Sequence, residues 1–214
     1  MGFLAGGSWV NDAQRGTVLE LNGQRDRVEI SNSPEINAAK SYPHRTVAFW
    51  FRARQTAAVD KKKYPSQVIY EEGGSGAGLN IYLDADVLRA GTWSQGKGAW
   101  LQTRELKRDT WHHVAVILRT AEKTDTEASF ELYLNGEKAA DGKAPLLRAH
   151  PGDINLGRSG NTLFHDSKAD IPAITSRDAS MISASSTDLS RRTKYKRYSS
   201  ASELMFQPYA SFRL

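Results

Sequence analysis

The sequence predicts an all-β fold, arranged as an antiparallel sandwich or barrel. Short segments that alternate apolar and polar residues recur at regular spacing, with turn residues between them. Two Asn-Gly pairs, at 22–23 and 135–136, suit the positive φ angles of tight turns. No stretch of ten or more residues carries a helical stripe of apolar positions. Many strands without intervening helices favour antiparallel pairing.

The alternation predicts a series of strands up to about residue 157. FELYLNGEKAA predicts a hairpin with Asn135 and Gly136 in the turn, and Asn22-Gly23 is predicted to join the first two strands in the same way. In chain order the predicted strands span residues 17–22, 27–31, 44–54, 66–72, 78–83, 87–93, 99–103, 110–119, 128–134, 137–141 and 153–156.

Composition excludes several classes of function. The chain has 214 residues, of which 39% are hydrophobic and 25% charged, as is usual for one globular domain. It contains no cysteine, which excludes disulfide scaffolds, thiol catalysis and cysteine-based zinc sites. No window approaches the ~18 apolar residues that cross a bilayer, so membrane insertion is not expected. The opening segment MGFLAGGSWV has no basic region, so we expect no signal peptide in this chain.

The positive charge is concentrated near the end of the chain. Residues 1–165 carry a net charge of +2 and residues 166–214 one of +3, which gives a nucleic-acid function little support. The basic cluster at 191–197 has two interpretations, a phosphate-binding or nuclear signal and an incidental charge run. Residues 176–202 contain nine serines without a clear period. We therefore predict a β-sandwich domain over 1–165 and an aberrant or disordered, Ser-rich basic tail over 166–214.

The strands together resemble the LamG-like jelly-roll family, within the concanavalin A-like lectin/glucanase superfamily. The resemblance covers about residues 8–165 and is most specific in TWHHVAVIL and, further on, in LYLNG. It implies a two-sheet antiparallel jelly-roll sandwich. Because the usual family ending is missing, the fold is expected to lack its normal last strand.

Neighbouring residues in the most specific motif lie on opposite faces of a strand. Alternation places His113 on one face and His112 with Val114 on the other, so the two histidines cannot share a metal ion. Packing and hydrogen bonding is the expected role of both. Trp50 is expected to belong to the core.

The sequence offers no pair of carboxylates suited to glycoside hydrolysis. Such chemistry needs two carboxylates on one face about 5–10 Å apart. The nearest approach to the motif of hydrolytic relatives, around Asp125, has the wrong order and lies in a polar loop. Glu71 and Glu72 are adjacent and face opposite ways. We therefore expect a protein that is not an enzyme.

The resemblance also implies a calcium site. Family members often hold one calcium ion with Asp or Asn side chains and backbone carbonyls, in keeping with the cation's preference for oxygen. The matching positions are Asn22, Gly23 and Asp26. Arg25 stands where many relatives have an acidic residue, which weakens the match. A hairpin turn without metal is the alternative.

Aromatic and amide side chains predict a ligand site on the strands around residues 78–103. Tyr82, Trp93 and Trp100 could stack on a sugar, while Asn80 and Gln95 could bond to its hydroxyls. Burial of the aromatic residues in the core is the competing interpretation.

The resemblance implies a non-catalytic recognition module that binds carbohydrate or an extracellular protein. It further implies a fragment of a larger secreted or cell-surface protein. A relative of glycoside hydrolases and a purely architectural domain of a surface protein remain the alternatives.

The tail from about residue 170 is predicted to be a frameshifted reading of the family's last strand. If codons are read one base earlier, the junction of Met181 and Ile182 must read GAT, which is Asp, for every synonymous choice. With permitted codons, residues 173–198 can encode NHFAGRIDDFRIFNGPLASHEIQTL, which fits the family ending. The alternative is a genuine disordered extension.

Overall fold

A computed structural model describes residues 2–22, 25–33, 42–54, 66–122 and 125–166, together with the backbone of 182–185. All regular structure in these residues is β-strand. The described residues contain no helix long and apolar enough to cross a membrane. The strands are β1 Gly2–Ala5, β2 Ser8–Asp12, β3 Gly16–Leu21, β4 Arg27–Ile30, β5 His44–Ala53, β6 Ser66–Gly74, β7 Ala77–Asp84, β8 Val87–Ser94, β9 Lys97–Glu105, β10 His112–Arg119, β11 Glu127–Leu134, β12 Glu137–Pro145, β13 Ile154–Leu156 and β14 Ile182–Ser185.

The strands form two sheets of seven. Sheet A has the order β1-β4-β13-β6-β7-β8-β9, and sheet B has the order β12-β11-β10-β5-β14-β3-β2. All pairings between neighbours are antiparallel. The all-β fold class is therefore confirmed. Each strand predicted from alternation corresponds to a strand of the structure, whereas β1, β2 and β14 were not predicted.

Alternation along the strands decides what enters the core. In β7, Leu79, Ile81 and Leu83 are buried between the sheets, whereas Asn80 and Tyr82 face the opposite side of sheet A. An ion pair in the core joins the two sheets. The Arg45 guanidinium of β5 donates to the fully buried carboxylate of Glu72 in β6, with 3.0 Å from Nε to Oε1.

The two Asn-Gly pairs differ in what they connect. Asn135 and Gly136 have φ angles of 53° and 86°, and they join β11 to β12 in the predicted hairpin. The predicted hairpin at Asn22-Gly23 is wrong, because β3 belongs to sheet B and β4 to sheet A. That connection crosses between the sheets, and Gly23 itself lies outside the described residues.

The expectation of a missing last strand needs correction. Ile182–Ser185 lies between β3 and β5 and pairs antiparallel with both, so that the backbone of Ala184 stands opposite Leu19 and Phe51. A strand therefore occupies this position of sheet B, and these four residues are not irregular. The remainder of the predicted tail, including the basic cluster at 191–197, lies outside the described residues.

Candidate functional site

A row of polar and aromatic residues crosses the face of sheet A that points away from the core. Strand register places Asn155, Glu71, Asn80, Gly91 and Trp100 side by side on five neighbouring strands, from β13 to β9. Directly paired residues share a face of a sheet, and neighbouring strands are about 4.8 Å apart. The row therefore forms one continuous line across the sheet.

A ten-residue segment, 157–166, lies over this row and is called the strap below. The Asn80 Nδ2 group donates to the Thr162 hydroxyl and to the Leu163 carbonyl, both at 2.7 Å. The backbone N–H of Gly160 donates to Glu71 Oε1. These bonds tie the strap to the middle of the row, and both Asn80 and Glu71 are buried.

The end of the strap packs on Tyr82. The Phe164 ring meets the Tyr82 ring edge to face, with 4.9 Å between centroids. The backbone N–H of His165 donates to the Tyr82 hydroxyl at 3.0 Å, and the same hydroxyl lies 2.9 Å from His165 Nδ1. Burial raises the pKa of Tyr82. Val68 completes this small apolar cluster, against which Trp100 packs.

Glu71 is a buried carboxyl group with only half of its hydrogen-bonding capacity used. Its Oε1 atom accepts from Asn155 Nδ2 at 2.9 Å and from Gly160, whereas Oε2 has no hydrogen-bond partner among the described residues. Burial raises the pKa of Glu71 to about 7, although these two hydrogen bonds and the charge of Arg158 oppose the rise. The group therefore holds or releases a proton near neutral pH.

The Trp100 indole lies against the surface of the sheet because two glycines leave room for it. A Cβ atom on Gly91 would stand 2.3 Å from Trp100 Nε1, and one on Gly98 would stand 2.3 Å from the far end of the ring. Trp100 is half-buried. On the same face, Arg89 donates from Nη1 to Gln102 Oε1 at 2.6 Å, next to the ring.

The structure brings four of the five predicted ligand residues together. Asn80, Tyr82, Trp93 and Trp100 share this face, but the first three are fully buried. Trp93 lies over Gly78 and donates from Nε1 to the Gly74 carbonyl, so its polar atom already has a partner. Their role in ligand binding remains a prediction.

Gln95 lies apart from the row. It occupies the first position of the β8–β9 turn, with a φ of 52°, and its N–H donates to the Gly76 carbonyl at 3.0 Å. Its side chain is exposed.

Sequence analysis did not identify Glu71 or the strap as part of the site. The adjacent pair Glu71-Glu72, directly after the apolar residues 68–70 of the strand, was the available signal, since one of the two must face the core. The structure places Glu72 in the core and Glu71 under the strap.

The residues predicted to bind calcium bond to their own loop. Asp26 Oδ2 accepts from the N–H of Asn22 at 2.9 Å, and Asn22 Oδ1 accepts from the N–H groups of Arg25 and Asp26. Within the described parts of the chain, no three His, Asp or Glu side chains are grouped as a metal ion would need. A calcium ion held by Asn22, Gly23 and Asp26 remains a prediction.

The other titratable motif residues have structural contacts. Asp125 Oδ2 accepts from the N–H groups of Ala121 and Glu122, which ties Asp125 to the segment that follows β10. His112 packs on Phe51 in the core and lies 3.0 Å from the Lys107 carbonyl, whereas His113 contacts Trp50 on the outer face. The two histidines therefore lie on opposite faces, as alternation predicts. The expectation that Trp50 belongs to the core is wrong, since its ring is half-buried on that outer face.

Comparison with known proteins agrees with the fold. A laminin G family model, described as the concanavalin A-like lectin/glucanases superfamily, matches residues 22–171. A comparison with curated proteins finds no significant match.

Among solved structures, the binding domain of Paraclostridial Mosquitocidal Protein 1 is 15% identical, with a TM-score of 0.62 over 85% of this chain and 41% of that one. The botulinum neurotoxin serotype G binding domain is 12% identical, with a TM-score of 0.59 over 86% and 42%. The botulinum neurotoxin serotype D ligand binding domain in complex with N-acetylneuraminic acid is 12% identical, with a TM-score of 0.57 over 86% and 41%. The chain thus spans about two-fifths of each of these chains, and the likeness is one of fold.

Proposed function

The chain belongs to the laminin G family of the concanavalin A-like lectin/glucanase superfamily, and we propose that it acts as a non-catalytic recognition module for carbohydrate. The observation that carries this proposal is the half-buried Trp100 indole, which lies across two glycines on the sheet surface. A ring held in this way offers one flat apolar face to a sugar ring. Arg89 and Gln102 stand beside it with hydrogen-bonding groups for hydroxyls.

The solved structures of similar fold support a binding role. They are binding domains of toxins, and one of them is described in complex with N-acetylneuraminic acid. This chain spans only part of those chains, and we therefore also propose where the domain occurs. The domain would be one part of a larger extracytoplasmic protein, where its ligand is either a carbohydrate or a glycosylated protein.

The test is a binding screen of the full chain against laminarin, agarose, carrageenan and sialyllactose, with calcium present. Trp100→Ala should weaken binding by about tenfold or more, equivalent to about 1.4 kcal/mol. Trp9→Ala is the matched control, since Trp9 is a 46% exposed tryptophan on β2 of the other sheet. Equal loss in both variants would contradict the assignment of the face.

Two other outcomes favour the alternatives. If no carbohydrate in the screen binds, the module is architectural. If reducing ends accumulate during incubation with the polysaccharides, the protein is a glycoside hydrolase and the non-catalytic assignment is wrong.

A further inference from the structure

The strap is attached to sheet A mainly through side chains. Gly157 donates a backbone hydrogen bond to the Ile69 carbonyl at 3.1 Å. Beyond that point, the bonds that we observe run to the side chains of Glu29, Glu71, Asn80 and Tyr82. A segment held in this way can lift without breaking a strand ladder, because the sheet keeps its own backbone bonds.

The closed strap leaves three buried polar atoms without hydrogen-bond partners in the described structure. They are Glu71 Oε2, Asn80 Oδ1 and Trp100 Nε1, all in the same row. The amide oxygen accepts, the indole N–H donates, and Glu71 Oε2 accepts when ionised and donates when protonated. The point where a Cβ atom would stand on Gly91 is 2.3 Å from Trp100 Nε1 and 2.7 Å from Asn80 Oδ1. Both atoms therefore border the Gly91 backbone. Buried polar groups normally have partners, so a ligand hydroxyl that reaches these two atoms could accept from the indole and donate to the amide.

The strap itself presents sugar-like chemistry to the row. Its Thr162 hydroxyl bonds to Asn80, and its Phe164 ring packs on Tyr82. An alcohol and a ring against an aromatic face are also what a sugar offers to its binding site. The strap therefore makes some of the contacts that a sugar ligand would make. It makes no hydrogen bond to the three unpartnered atoms of the row.

We infer that the strap is a displaceable lid over an inner subsite, formed by Glu71, Asn80 and Trp100 Nε1, for the hydroxyl groups of a neutral sugar. This inference rests on the proposed carbohydrate function and adds the inner subsite and its gating to it. A neutral polyol suits the site because its hydroxyl groups both donate and accept, so they can bond to Asn80 Oδ1, to Trp100 Nε1 and to Glu71 Oε2 in either protonation state. A ligand that forms hydrogen bonds with all three atoms would compete with a strap that forms hydrogen bonds with none of them.

A disulfide that locks the strap tests the inference directly. A Cβ atom built on Gly74 lies 4.0 Å from the Asn161 Cβ, within the range for disulfides, and the chain has no other cysteine. The variant Gly74→Cys/Asn161→Cys should bind laminarin or agarose at least tenfold more weakly when oxidised, and dithiothreitol should restore binding. Asn161→Cys alone is the control and should bind like the original chain in both conditions.

The outcomes separate this inference from the proposed function. If the oxidised and reduced forms bind equally while Trp100→Ala binds weakly, the inference that the strap is a lid is wrong. The proposed carbohydrate function is retained in that case. If only carrageenan or sialyllactose binds, the neutral-sugar subsite is overturned. If nothing binds, the proposed function fails and the inner subsite fails with it.

Hydrogen exchange of the ligand-free chain provides a second measurement. The amides of Gly160 and His165 should exchange through local opening, much faster than ladder amides such as that of Val116 in β10. If the strap amides exchange only at the rate of global unfolding, the strap does not open in the folded state and the inference is overturned.

Discussion

Replacing Glu71 by glutamine should remove a pH dependence of stability that this one group imposes. The carboxyl group is buried beneath the strap, with Oε2 unpartnered among the described residues. Glutamine keeps the Oε1 acceptor for Asn155 and Gly160. Its NH₂ group takes the place of Oε2, which has no hydrogen-bond partner among the described residues. The substitution therefore changes the charge and preserves the contacts.

The magnitude follows from the raised pKa of Glu71. Burial lifts that pKa from 4.5 to about 7. At pH values between these two, the native state holds a proton that the unfolded chain has released, so the free energy of unfolding falls as pH rises. The stabilisation is fully present below pH 4.5 and is lost as pH rises through about 7. A difference of this size corresponds to about 3 kcal/mol, at 1.36 kcal/mol for each pKa unit.

Urea unfolding of the original chain and of Glu71→Gln, measured at intervals between pH 5 and pH 8, tests this reasoning. The stability of the variant relative to the original chain should increase with pH by about 2–3 kcal/mol and then level off. Glu137→Gln, which removes an exposed carboxylate at the start of β12, is the control and should leave the profile unchanged. Parallel pH profiles for the original chain and Glu71→Gln would refute the argument.

Three further changes have clear expected outcomes. Arg45→Met should lower the free energy of unfolding by about 3–5 kcal/mol in urea, because it removes the guanidinium from the buried Glu72 carboxylate; a loss below 1 kcal/mol would contradict this. Gly91→Ala should displace the Trp100 ring and reduce both stability and glycan binding, whereas Gly76→Ala, where a Cβ meets nothing within 4 Å, should do neither. Millimolar calcium should raise the melting temperature if the β3–β4 connection binds it, and an unchanged melting curve would remove that site.

The strands could be predicted because alternation is local and directly reflects burial. The same residues do not say which strands pair. Asn135-Gly136 and Asn22-Gly23 carry the same turn signal, yet one joins neighbours in a sheet and the other links two sheets. The difference arises from pairings over long sequence distances, such as that of β4 with β13. No short segment of the sequence indicates which distant strand will be its partner.

The candidate site was predicted in part for the same reason. The cluster of Trp100, Asn80 and Tyr82 on one face follows from strand alternation, once the strands are known. The strap could not be found, because it has no periodic pattern and its contacts with Glu71 and Asn80 join residues more than 80 positions apart. Its presence changes the interpretation of the face, since residues that alternation places outward are nevertheless buried.

The tail supplies the last prediction. We propose that the chain from about residue 170 is a shifted reading of the family's closing strand. The family match ends at residue 171, and the alternative reading NHFAGRIDDFRIFNGPLASHEIQTL begins at 173. Its stretch FRIF aligns with positions 182–185, the residues whose backbone forms β14 between β3 and β5. That stretch combines aromatic and β-branched residues, which favour strands more than the encoded ISAS does. Sequencing the gene should find the earlier frame open and spelling this ending, and a chain that carries it should melt at a higher temperature. A stop codon in that frame across this region would end the proposal.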